Sequence, residues 1–73
     1  MEHSYENYRF KILLADPQRV WNTIWFADAT TLEEAQNRAD KESKERLELG
    51  FQPRESHLTV TDRVTQSVVY STF

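Results

Sequence analysis

The chain contains no cysteine, one glycine and two prolines. Without cysteine there is neither a disulfide framework nor a thiolate metal site, which removes the stapled mini-protein class. A single glycine rules out a phosphate-cradling loop and a nucleophile elbow, since each needs several. No apolar run approaches the roughly 20 residues that span a bilayer. The opening MEHSYENYRF carries acids where a signal peptide has its apolar core. A soluble, cytoplasmic protein is expected. Histidine is scarce as well: His3 and His57 are the only two, and neither has a ligand partner at H-x-x-x-H spacing. No metal, no cofactor and no catalytic group are therefore expected, and His57 with Asp62 makes a weak acid–base pair at best. Acidic groups are in only small excess, 12 against 9 basic ones, for a net charge of −3 and a pI of 5.3. That field disfavours non-specific nucleic-acid binding and otherwise serves solubility.

What the chain does have is aromatics: two tryptophans, three tyrosines and four phenylalanines in 73 residues. A chain of this length is one domain, residues 1–73, and buries roughly 60% of its unfolded surface, so the aromatics must supply much of the core. In YRFKILLAD, Tyr8, Phe10, Ile12 and Leu14 alternate with Arg9, Lys11 and Leu13. That period of two predicts a strand over about 7–15 with its even positions inward. DPQR suits a type I turn, with Asp first and Pro second. A second strand is expected over about 20–28, so the pair reads as a hairpin. Residues 1–4, MEHS, are expected to be loose.

Thr31-Leu-Glu-Glu34 fits a capping box and opens a helix over about 32–49. Ala35, Ala39, Ser43 and Leu47 recur at three- and four-residue spacing from Leu32. Glu34–Arg38, Asp40–Lys44, Lys41–Glu45 and Glu42–Arg46 are placed to pair across single turns. Gly50 stands where a left-handed cap is needed, Phe51 is expected to turn back toward the core, and Pro53 bars the helix from resuming. HLTVTD and SVVYSTF, rich in β-branched residues, predict strands over about 57–62 and 67–72 around a turn near Arg63–Gln66. The result is an α+β fold, ββαββ. One helix lies on one face of a four-stranded, mainly antiparallel sheet, in the order 2-1-3-4 if the crossover is right-handed.

The second strand is the difficulty. In RVWNTIWFADA, large apolar groups lie on both sides. A two- or four-residue loop sets Leu14 opposite Trp21, Ile12 opposite Thr23, Phe10 opposite Trp25 and Tyr8 opposite Ala27. Both tryptophans then lie beneath the helix, where their bulk complements the alanine stripe. A three-residue loop with a bulge slips the pairing by one; Ile24 and Phe26 become core and the tryptophans go outside. The first register is preferred on helix complementarity. It leaves Val20, Ile24 and Phe26 on the uncovered face, with Leu13, Arg9 and Lys11 beside them. A contiguous apolar patch of that kind marks an interface unless the segment holding Tyr5, or the loop from Phe51 to His57, covers it.

The expectation is a small non-enzymatic protein-binding module, an adaptor or inhibitor. It would act through that face or through an exposed edge strand on another protein or a second copy of itself. Two further readings stand beside it: a nucleic-acid-binding domain using Arg9, Lys11 and an aromatic, and a self-associating structural subunit. By size and make-up alone the chain sits with minimal binding proteins of bacteria and their phages.

Overall fold

Alternation in FKILLA builds the centre of the molecule. The computed structural model describes residues 8–16 and 22–72, and in it Phe10, Ile12 and Leu14 are buried while Lys11, Leu13 and Ala15 face the other way. This strand, β1 (Phe10–Ala15), is followed by β2 (Thr23–Ala29) and α1 (Leu32–Glu48). A 3-10 turn (Pro53–Glu55), β3 (Leu58–Asp62) and β4 (Ser67–Ser71) complete the order. The four strands form one sheet in the order β2-β1-β3-β4, antiparallel at every step. The α+β fold is thus the one expected from the sequence, including the strand order. β1 begins at Phe10, later than the expected start, because Tyr8 and Arg9 lie outside the ladder. Residues 1–4, Tyr5, Phe73 and the stretch 17–21, which holds most of the DPQR turn with Val20 and Trp21, lie outside the described residues.

Helix α1 packs on one face of this sheet through Ala35, Ala39 and Ser43, all buried. Small side chains bring the helix backbone close, and the bulk that fills the gap rises from the two central strands: Ile12, Leu58 and Val60 are fully buried. Thr31 caps the helix, its hydroxyl accepting from the Glu34 N–H at 3.1 Å. The return bond goes mainly to Thr30: the Glu34 carboxylate accepts from the Thr30 N–H at 3.2 Å and its hydroxyl at 3.0 Å. At the other end Gly50 has φ +97°. The Phe51 N–H donates to the Arg46 carbonyl at 3.0 Å and the Gly50 N–H to the Leu47 carbonyl at 3.1 Å, which is a Schellman cap. Phe51 does not enter the core. The residue is 44% exposed and its ring centroid lies 5.2 Å from the Arg46 guanidinium carbon, and Arg46 pairs with Glu42 at 2.7 Å. Helix and sheet are also tied at the far edge, where the Tyr70 hydroxyl donates to Asp40 at 2.6 Å. That bond, before burial or charge, raises the Tyr70 pKa.

The expected register of β1 with β2 is wrong. Leu14 pairs with Ile24, Leu13 with Trp25, Ile12 with Ala27 and Phe10 with Ala29, and the register shifts between Ile12 and Leu13. Phe26 is the extra residue, a β-bulge. It splits β2 into two halves whose alternation is out of phase. Ile24 therefore takes the helix side on one half and Ala27 and Ala29 take it on the other. Trp25 stands opposite Leu13, on the face away from the helix. A second bulge interrupts β4 at Val69, between the pairs Val60–Tyr70 and Thr61–Val68.

Candidate functional site

The sheet face opposite α1 is read directly from the pairings. One row across it runs Trp25, Leu13, Thr59, Ser71, and the next runs Asp28, Lys11, Thr61, Val68. Trp25 is 61% exposed and Val68 62% exposed, but they occupy different rows at opposite edges, so the apolar part of the face is centred on Trp25 and Leu13. Threonine fills β3 on this side because a β-branched side chain suits a strand while its hydroxyl stays wet.

Polar groups hold the Trp25 end in place. The indole N–H donates to Asp28 at 3.2 Å. The same carboxylate oxygen takes the Arg63 guanidinium at 2.9 Å, and Arg63 also donates to the Tyr8 carbonyl at 2.8 Å. Beside this chain, Lys11, Thr61, Arg63 and Gln66 border a shallow depression. A large aromatic and a basic hollow thus lie next to one another on a sheet face that no helix among the described residues covers.

The six residues singled out in the sequence are not gathered into one surface. Leu13 and Lys11 are on the open face, where the alternation of β1 placed them. Val20 lies outside the described residues. Ile24 and Phe26 are on the helix side, which corrects the expected placement. Ile24 is 47% exposed there, while Phe26 packs against the core and lines a cleft with Arg38, Lys41, Glu42 and Glu45. Arg9 is committed elsewhere: its guanidinium donates to both carboxylate oxygens of Asp62, at 3.0 and 2.8 Å. The residue missed is Trp25. The slipped register with a bulge is the one that sets Trp25 outside.

Asp62 is the most enclosed carboxylate of the described chain, with 6% of its side chain exposed. The Arg9 hydrogen bonds, and then the Val64 N–H at 2.9 Å, hold its pKa below the usual carboxylate range against the opposing effect of burial. The Arg9 pKa is raised in return, again chiefly by the hydrogen bond. Asp62 does not meet His57, which stands at the opposite end of β3 and bonds the Ser71 hydroxyl at 2.7 Å. Among the described residues no three histidine or acidic side chains converge as a metal site, and no helix is long and apolar enough to cross a membrane. Comparison with protein-family models, curated proteins and solved structures returned no match.

Proposed function

We propose that the protein is a small non-enzymatic binding module of the cytoplasm, an adaptor or inhibitor, that docks another protein on the open sheet face around Trp25 and Leu13. The observation that carries this reading is Trp25 itself, held 61% exposed by a bond to Asp28 rather than folded beneath the helix. Tryptophan is a favoured interface anchor, and truncating such an anchor typically costs about 2 kcal/mol or more of binding. Lys11 and Arg63 beside it favour a partner that brings an apolar side chain flanked by acids. A second copy is the poorer fit, because both outer strands carry bulges that turn edge-to-edge pairing aside.

The test compares proteins captured from cell lysate by the wild type, by Trp25→Ser and by Leu49→Ser, the last an exposed residue at the end of the helix on the opposite face. A partner retained by wild type and Leu49→Ser and weakened at least tenfold by Trp25→Ser is expected, one order of magnitude being about 1.4 kcal/mol. An unchanged partner set with a folded Trp25→Ser protein contradicts the reading.

Lys11 diagonal to Trp25 also favours a second reading, in which a single-stranded nucleic acid stacks on the indole. Against it stand Asp28 beside the indole, the commitment of Arg9 to Asp62, and the net charge of −3. Labelled oligonucleotides that fail to bind at low salt, where electrostatic affinity is greatest, dismiss it.

A further inference from the structure

The turn between β3 and β4 holds a backbone conformation that its own hydrogen bonds do not require of the residue in it. Gln66 has φ +59°, in the left-handed region, which glycine occupies at lower cost than any residue with a Cβ. The bond that closes the turn, from the Gln66 N–H to the Asp62 carbonyl at 2.6 Å, uses main-chain atoms that glycine would supply equally. The turn is further fixed by Asp62 accepting from the Val64 N–H and by the Thr65 and Ser67 hydroxyls at 2.6 Å from each other. None of these needs a glutamine side chain. Strain kept without a structural need is a pointer to function.

The Gln66 side chain borders the depression on the open face with Lys11, Thr61 and Arg63. An ammonium, a hydroxyl, a guanidinium and a carboxamide there form a set rich in hydrogen-bond donors. Two of the four are cationic, in a molecule whose net charge is −3. Asp28, the acid opposite Lys11 in the ladder, already receives Arg63 at 2.9 Å and the Trp25 indole at 3.2 Å on one oxygen. We propose that this depression is an anion subsite that receives a carboxylate from an acidic side chain of the docked protein. Lys11 supplies the attraction, the Gln66 amide and Thr61 hydroxyl donate to the carboxylate, and Arg63 adds charge while staying bound to Asp28. The assignment rests on the docking face proposed above and names the chemistry of what sits beside Trp25.

The test is NMR titration of the full chain at low ionic strength with acetyl-Leu-Glu-Leu-Glu-amide, its lysine counterpart acetyl-Leu-Lys-Leu-Lys-amide, and inorganic phosphate. Saturable amide shifts at Lys11, Thr61, Arg63 and Gln66 are expected with the glutamate peptide and not with the lysine peptide. Lys11→Met should weaken binding about tenfold, and Gln66→Gly about fivefold, the loss of one hydrogen bond at an exposed site. Gln66→Gly should at the same time raise the melting temperature, since the left-handed strain is relieved. A turn residue with no binding role would gain stability and leave affinity unchanged, which overturns the proposal. So does a titration without saturation, or an equal response in folded Lys11→Met. Phosphate binding more tightly than the glutamate peptide overturns the carboxylate assignment. Shifts limited to Leu13 and Trp25 keep the docking face and remove the subsite. Subsite shifts in a protein whose partner set ignores Trp25→Ser keep the subsite and remove the docking face.

Discussion

Asp62 shows how one side chain can organise an end of the sheet. It closes the β3–β4 turn through the Val64 N–H and anchors the segment before β1 through Arg9, all from a nearly enclosed position. Its pKa is lowered in the fold, chiefly by Arg9. A lowered carboxylate stabilises the fold above its unfolded pKa, and that stabilisation is lost as pH falls through the folded pKa. Glu34 shifts in the same direction, mainly through the Thr30 N–H, so both carboxylates make acid destabilising. Asp62→Asn is therefore expected to melt at a lower temperature near neutrality. As pH falls below about 4 and on through the lowered folded pKa of Asp62, the variant's melting temperature should converge on that of the wild type. Thermal denaturation followed by circular dichroism across that range checks it; parallel curves at all pH values would remove Asp62 as the cause. Sequence alone marked Asp62 only as a distant partner for His57. What identifies its real partner is the antiparallel pairing of Phe10 with Asp62, which no local pattern displays.

Elements were legible wherever the signal is local. Thr31 and Gly50 bracket α1 as their chemistry demands, and Ala35, Ala39 and Ser43 form its buried stripe. Lys11 and Leu13 were placed on the open face because β1 alternates cleanly. β2 was not legible, since it is apolar on both sides and a bulge at Phe26 changes its phase midway. Complementarity to the small helix stripe was a sound requirement, but it is met by Ile12, Leu58 and Val60 of the central strands, so it did not need the tryptophans. Two substitutions test the helix boundaries. Thr31→Ala removes the hydroxyl that accepts from Glu34 and should cost about 1 kcal/mol. Gly50→Ala meets open space at the new Cβ, so its cost of about 1–2 kcal/mol should be purely that of a left-handed alanine. Urea denaturation measures both, and a loss well outside these values would mean that the caps do more than end the helix.

At the scale of the whole molecule, the described residues form two layers with no helix among them on the second sheet face, and the bulge decides what stands on that face. Had β2 paired without a bulge in the expected register, Trp25 would lie beneath α1 and Ile24 and Phe26 would form the outer surface. With it, Trp25 and Leu13 lie outside next to Lys11 and the hollow at Gln66. The docking face and the anion subsite proposed above both depend on that one residue of phase. The most direct test is the set of nuclear Overhauser contacts of the Trp25 indole in the isotope-labelled protein. The account predicts contacts from the indole to the Leu13 methyl groups and none to the methyl groups of Ala35 and Ala39. Indole contacts to Ala35 or Ala39 would place Trp25 in the core and contradict it.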